Sequence, residues 1–354
     1  MFISTCSFGS TGSSAVSDYL RECEGVHVVD AFEFTISHAV DGLQDLEYFV
    51  MKRPSRQSSS IVAIQRFERI IHKHTKRWCA STGISEQRIQ QITEEFLNSI
   101  TQVSYVGLSP RINRKDGEFL HRKIGDGLIR RRIIPKLERK GIIKENFDFY
   151  PLERVRMSVK PPNFYEAAQK FTSDLLTGMG VDLNGIVVMD QALSGPNPAA
   201  GFPFFKDPYA VVADRDPRDL YIFAKKKLLS DGRFMPTDTV DTFINYYRLL
   251  RDGQPYLQDN PRILRIHFES LVYDYEKTAA QINAFLHVKN IKPKSVFKPE
   301  RSAANTNLAA KFPELANDII RIENELPEYL FHFEDFPEIK SNGKWFSNRA
   351  QRPK

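Results

Sequence analysis

Short apolar runs separated by stretches with a helical stripe set the pattern of this chain. Phe2 to Cys6 reads as a short buried strand, and it breaks at once into the small-residue stretch Ser7-Phe8-Gly9-Ser10-Thr11-Gly12-Ser13-Ser14. From Ala15 to Cys23 the apolar positions Val16, Tyr19 and Leu20 share one helical face, so the order is strand, glycine loop, helix. Val26 to Val29 predicts a second strand that leads into Ala31-Phe32-Glu33-Phe34. From about 41 to 180 the manner changes: Leu43, Leu46, Phe49 and Val50, then Ile61, Ile64, Phe67, Ile70 and Ile71, recur at helical spacing. β-rich runs return at Gly185 to Met189, Tyr209 to Ala213 and Ile263 to Phe268, the last followed by a helix over Tyr275 to Leu286. Ser194 to Pro203 is a Pro/Gly/Ser-rich loop. Strands spaced by helical segments predict an α/β fold with a parallel sheet. Residues 1–354 then form one α/β domain, with 41–180 as a mainly helical insertion.

Composition narrows the class. With 41% hydrophobic and 27% charged residues, the 354-residue chain can bury a core, and its length allows two domains or one large domain with an insertion. Fifty Lys+Arg against forty-four Asp+Glu leave a charge of +6, which favours anionic ligands without demanding nucleic acid. Three cysteines, Cys6, Cys23 and Cys79, form no disulfide framework. The apolar start from Met1 to Cys6 is too short for a secretory signal, and no apolar run approaches the roughly 20 residues of a membrane span. A cytoplasmic protein is the expectation.

A strand that turns through glycines into a helix converges backbone N–H groups and the helix's positive end on one point, where a phosphate or sulfate can sit. Gly9 and Gly12 permit that turn, and Ser10, Thr11, Ser13 and Ser14 add hydroxyls. The pattern is neither the nucleotide-triphosphate loop, since Ser13 stands at its lysine position, nor a dinucleotide G-x-G-x-x-G. A second anion device is Asp214-Arg215-Asp216-Pro217-Arg218-Asp219, at the carboxyl end of a predicted strand, where ligands of open parallel sheets bind. Alone, this segment reads equally as a surface turn with local Asp–Arg pairs. Two such devices in one sheet fit a ligand with two separated phosphate-like groups.

In these residues the chain resembles the sulfotransferases that use 3′-phosphoadenosine 5′-phosphosulfate, closer to their carbohydrate and bacterial members. Ser10-Thr11-Gly12-Ser13-Ser14 is similar to the family's basic-Ser-Gly-Thr-Thr loop, and Arg215-Asp216-Pro217-Arg218-Asp219 is similar to its 3′-phosphate segment. Phe268-Glu269-Ser270-Leu271-Val272, with Ile282 to Leu286, resembles its Glu-x-Leu-Val turn and following helix. Phe297 to Asn305 resembles its C-terminal Pro-x-x-Ser-x-x-Asn element. The resemblance covers the first 35 residues and about 185–330, and nothing in the insertion. It implies a P-loop-like sulfotransferase fold. It also implies a phosphosulfate donor held by Gly9, Ser10, Thr11, Gly12, Ser13, Ser14, Arg215 and Arg301, and no metal. Two positions depart from the family: Ser10 stands where a Lys or Arg bridges the transferring group, and Phe223 stands where a Ser often follows the first arginine. A basic side chain from the Arg-rich insertion could replace the missing cation.

Sulfuryl transfer to an alcohol needs in-line attack, a base for the hydroxyl proton and donors for charge on the departing phosphate. Glu33, just after the second strand as in carbohydrate-type sulfotransferases, is the expected base, with Asp30 and His38 as alternatives. His72, His74 and Cys79 lack zinc spacing, so no metal site is expected. Arg111 to Lys140 carries eleven Lys/Arg against four acids. That run reads as a solvated helix face, a surface for an acidic acceptor, or the source of the missing cation. The near-balance of the remaining chain argues against nucleic acid. The acceptor is a small molecule or glycan with a hydroxyl; the position of Glu33 favours a saccharide over a sterol or lipid alcohol, for which the 26 Phe and 13 Tyr could line a pocket. The alternatives are a non-catalytic nucleotide- or nucleic-acid-binding protein using the same loop, and another P-loop-like phosphoryl transferase.

Overall fold

The computed structural model describes residues 1–29, 32–54, 57–107, 131–142, 153–227, 235–253, 258–343 and 345. Five strands, β1 (Phe2–Ser7), β2 (Val26–Val29), β5 (Ile186–Asp190), β6 (Pro208–Asp214) and β7 (Ile263–His267), form one parallel sheet in the order β2-β5-β1-β6-β7. The expected α/β class and parallel sheet are therefore present. The register runs Ile3↔Val188 toward β5 and Ile3↔Tyr209 toward β6, so β1 is central and the strand order reverses direction about it. All six residues of β1 are buried, Ser4 and Thr5 included. Their hydroxyls are satisfied inside the core: Ser4 Oγ accepts from Leu193 N at 3.0 Å, and Thr5 Oγ1 lies 2.8 Å from Ser17 Oγ.

Helices cover both faces, because a strand buried on both sides needs apolar cover on each. Ile3, Val188 and Val211 face α1 (Ser13–Leu20), α9 (Phe268–Tyr273) and α10 (Tyr275–Leu286), packing with Val16, Leu20, Leu271 and Ile282. Phe2, Cys6, Val187 and Val212 face the other way, into a larger core with α2 (Leu43–Glu47), α3 (Gln57–Thr82), α4 (Glu86–Ile100) and α6 (Phe164–Gly178). There Phe67 meets Phe96 and Phe171 with ring centres 5.5 and 5.6 Å apart. A third cluster joins α7 (Pro217–Lys227), α8 (Val240–Arg251) and α12 (Ala316–Glu325) through Phe243, Tyr247 and Ile322. Two short helices, α5 (Ile134–Arg139) and α11 (Pro299–Ser302), lie between Gly107 and Glu153 in sequence and in the C-terminal crossing respectively. Among the described residues, no helix is long and apolar enough to cross a membrane.

Two local differences from the sequence-based expectation have physical causes. The first helix begins at Ser13 rather than Ala15, directly after Gly12, whose φ of 111° ends the loop. It stops at Leu20, and Cys23 instead bridges to Asn290. Within the helical stretch, β3 (Val103–Gly107) and β4 (Glu153–Met157) form an antiparallel pair that apolar periodicity does not reveal. Val155 and Arg156 point to opposite faces of β4 and both are buried, so the strand shows no alternation of apolar and polar positions. Arg156 is held there by Glu68 and by Glu94 at 2.5 Å.

Past α1, one carboxylate holds the C-terminal crossing segment. Glu22 is buried; its Oε1 accepts from Val296 N and Phe297 N at 2.8 Å each, and its Oε2 from Asn290 Nδ2 at 2.8 Å and Lys294 N at 3.1 Å. Removing the acceptor strands several buried donors, each costing about 1–3 kcal/mol. Glu22→Ala is therefore expected to lose about 3 kcal/mol or more of unfolding free energy, read as a lower denaturant midpoint; a change under about 0.5 kcal/mol would contradict the clamp.

Candidate functional site

At the carboxyl end of β1 the backbone takes left-handed angles at Gly9 (φ 87°), Ser10 (φ 57°) and Gly12 (φ 111°). Alternating such residues with right-handed ones turns successive N–H groups to one side, which is how a main chain builds an anion cradle. Gly12 also caps α1, and no side-chain cap hydrogen bond is made there among the described residues. A Cβ at Gly12 would meet Phe268 Cβ at 2.9 Å, so glycine is required both for its angle and for its closeness to α9.

Thr11 and Arg215 fix the loop from beneath. Thr11 is buried; its Oγ1 accepts from Phe8 N at 3.0 Å and donates to Ala213 O on β6 at 2.6 Å. Its hydroxyl thus ties the loop to the neighbouring strand. Arg215, just beyond β6, is 2% exposed and donates from Nη1 to Ser10 O at 3.2 Å and from Nη2 to Asn305 O. The two segments singled out as anion devices are therefore in direct contact, at the carboxyl ends of adjacent strands and at the reversal point of the sheet. The guanidinium lies near two rings, Phe223 at 5.6 Å and Phe268 at 5.7 Å. Phe223 thus supplies a ring where a hydroxyl would offer a hydrogen bond.

The remaining charges of this segment are structural. Arg218 forks onto Asp216 (Nη2 to Oδ2, 2.6 Å), reaches Glu323 at 3.0 Å and donates to Phe331 O at 2.8 Å. Burial opposes its charge, and the bonds to Asp216 and Glu323 outweigh that and hold its pKa above the ordinary value. Asp219 accepts from Asn307 N and Leu308 N, both at 2.8 Å. Glu269 is fully buried; Oε1 accepts from Asp216 N at 3.1 Å, and Oε2 has no partner among the described residues. Burial first, then the neighbouring charges of Asp219 and Asp216, push Glu269 well above the usual carboxylate range, and Arg215 opposes the shift. Asp219 is raised for the same reasons.

Glu33 is exposed between the buried Phe32 and Phe34, and nothing among the described residues hydrogen-bonds its carboxylate. Ser14 is half-buried on the first turn of α1, and Arg301 is exposed at the end of α11, four residues before the Asn305 carbonyl that Arg215 holds. Of the alternative bases, Asp30 lies outside the described residues, and His38 Nε2 is 3.0 Å from Gln191 O. Most of the Arg-rich run, residues 111–130, also lies outside them; Arg131 to Lys140 includes α5, which buries no residue. Among the described residues, no cluster of three His, Cys, Asp or Glu could hold a metal.

Two contributors carry no signal in the sequence pattern. Arg251 on α8 is fully buried, forks onto Asp214 at 2.7 and 2.5 Å, and stacks between Phe8 at 4.0 Å and Tyr247 at 3.4 Å, anchoring the start of the loop. Gln191, one residue past β5, touches both Ser7 and Ser13. Only its place after a predicted strand could have marked it. A cleft of about 270 Å³ between α4 and α6, floored by Phe96 and Phe171, borders none of the expected site residues.

No protein-family profile matches the chain, and a comparison with curated proteins finds no match. Among solved structures the chain is similar to the sulfotransferase STF9 from Mycobacterium avium, at 12% identity and a TM-score of 0.34, over 97% of this chain and 78% of that one.

Glu269 makes stability depend on pH. Its folded pKa lies above the unfolded value of about 4.3, so its contribution is complete below that value and fades as pH rises toward the folded pKa. Each tenfold difference in proton affinity between the folded and unfolded chain is worth about 1.4 kcal/mol. Glu269→Gln should erase this slope, so urea unfolding at pH 5 and pH 8 should show the variant gaining on the parent at the higher pH. Parallel pH profiles for the two proteins would contradict the raised pKa of Glu269.

Proposed function

We propose that the chain transfers a sulfuryl group from 3′-phosphoadenosine 5′-phosphosulfate to an acceptor hydroxyl, with a saccharide as the favoured acceptor class and a sterol or lipid alcohol as the alternative. The contact that carries this reading is Arg215 Nη1 on Ser10 O: it joins a main-chain anion cradle to a buried guanidinium, the pairing that a nucleotide with two separated anionic groups requires. The 5′-phosphosulfate would lie on the amides of residues 9–14, stabilised by the open positive end of α1. The 3′-phosphate would take Arg215 donors now given to the neutral carbonyls of Ser10 and Asn305, an exchange favoured because charge-assisted hydrogen bonds are the stronger kind.

In the reaction the acceptor oxygen attacks sulfur, the bond from sulfur to the bridging oxygen breaks, and its electron pair leaves on the 5′-phosphate. The hydroxyl proton passes to a base. Glu33 is our assignment for it, and its exposure leaves it open to an incoming acceptor. His38 is the second candidate: Gln191 O can only accept, so Nε2 carries the ring proton and Nδ1 keeps a lone pair for a substrate. The helices of 41–180 would form the acceptor side, and the cytoplasm is the compartment this reading assigns.

One observation favours a second reading, a nucleotide- or nucleic-acid-binding protein without transfer: no described residue hydrogen-bonds Glu33, so no described side chain orients a base there. Incubation with radiolabelled phosphosulfate donor and a panel of glycan, sterol and phenolic alcohols separates the readings. Transfer supports the first; tight binding of adenosine 3′,5′-bisphosphate without transfer selects the second; a response to magnesium–ATP instead selects a phosphoryl transferase.

Two substitutions test the assigned roles. Glu33→Gln should lower turnover by about 10²–10⁴-fold and leave nucleotide binding near the parent value; near-normal turnover removes Glu33 from the role. Arg215→Ala should weaken adenosine 3′,5′-bisphosphate by about 2 kcal/mol in calorimetry, and unchanged affinity would contradict its placement on the 3′-phosphate.

A further inference from the structure

We infer that Gln191 is a positioning residue for the anion held by residues 9–14: its carboxamide donates to Ser7 and Ser13 and so frees their hydroxyl protons for that anion, and a neutral amide just past β5, not a cation, sets how the loop reads charge. This deepens the proposed function and rests on the loop being an anion cradle.

The backbone points to a residue fixed for a purpose. Gln191 has φ 57°, a left-handed angle that strains a non-glycine residue and persists only where its surroundings impose it. They do so here from both sides: its N–H donates to Thr5 O on β1 at 2.8 Å, and its C=O accepts from His38 Nε2 at 3.0 Å. The result turns the side chain from β5 toward the end of β1.

There Nε2 lies on Ser7 Oγ and 3.3 Å from Ser13 Oγ, the hydroxyls that open and close the loop. A hydroxyl that accepts from an amide keeps its own proton to donate elsewhere. With its two protons on those oxygens, the carboxamide leaves both serine protons for the anion. The two guanidiniums nearest the loop already have acceptors: Arg215 holds Ser10 O and Asn305 O, and Arg251 is forked onto Asp214. The following chain closes down on the same point: a Cβ on Gly195 would meet Ser7 O at 2.3 Å, so only glycine lets the 194–197 loop lie over the end of β1.

Binding of adenosine 3′,5′-bisphosphate, followed by calorimetry, tests the assignment with three variants whose melting temperatures are measured alongside. Gln191→Asn keeps a residue type that tolerates the left-handed backbone and withdraws the amide by one methylene. Gln191→Glu preserves size and reverses the electrostatics. Gln191→Lys offers a cation. We expect about fivefold weaker binding for Asn, more than about tenfold weaker binding for Glu and tighter binding for Lys. A purely structural role would shift melting temperatures without ordering the affinities by charge. Affinities of Asn and Glu variants within twofold of the parent overturn the inference and leave the reading of the loop standing. A parent protein that does not bind the nucleotide overturns both.

Discussion

The contact between Arg215 and the carbonyl of Ser10 is the constraint on which the rest of the site depends. It puts a guanidinium with almost no exposure against a main-chain loop, and a buried cation is tolerated only where acceptors and countercharges surround it. Ser10 O and Asn305 O supply the acceptors, and Arg215 in turn opposes the rise in the pKa of the neighbouring Asp219 and Glu269. The ends of β1 and β6 are held together through this point and through the Thr11 hydroxyl on Ala213 O. Segments more than two hundred positions apart in the chain are thereby made one site.

Other buried ions around the site hold shape rather than ligand. Arg251 on Asp214 supports Phe8, Arg218 on Asp216 and Glu323 supports the C-terminal crossing through Phe331 O, and Glu22 fastens residues 290–297. Each is paired with main chain or a countercharge, the condition under which burying a charge is tolerable. Under the proposed function, anion recognition would then fall to main-chain amides and serine hydroxyls. A cradle of that kind owes more to geometry than to net charge, which accords with a chain only six charges positive over 354 residues.

Much of this architecture was legible because it follows local rules. The parallel strands carry contiguous apolar residues such as Ile186-Val187-Val188, and Gly9 and Gly12 stand where the loop needs left-handed angles. What escaped depends on partners distant in sequence. β4 buries the charged Arg156 and is recognisable only once Glu68 and Glu94 are known to meet it. The serine hydroxyls read as donors have divided tasks, and Thr11 turns to β6 rather than to the loop's mouth, since a buried hydroxyl goes where an unpaired carbonyl waits. Glu33 is flanked by two buried rings that fix its backbone and not its carboxylate. Gln191 carries no motif, and its position depends on β5 lying next to β1, a fact of topology rather than of sequence.

The central claim is that one bisphosphorylated nucleotide spans the loop of residues 9–14 and Arg215. A crystal structure of the protein with adenosine 3′,5′-bisphosphate tests it most directly. The account predicts the 5′-phosphate on the amides of residues 9–14 and the 3′-phosphate on the Arg215 guanidinium, released from Ser10 O or Asn305 O. Nucleotide bound elsewhere, for instance in the cleft between α4 and α6, with the Arg215–Ser10 contact intact, would contradict it.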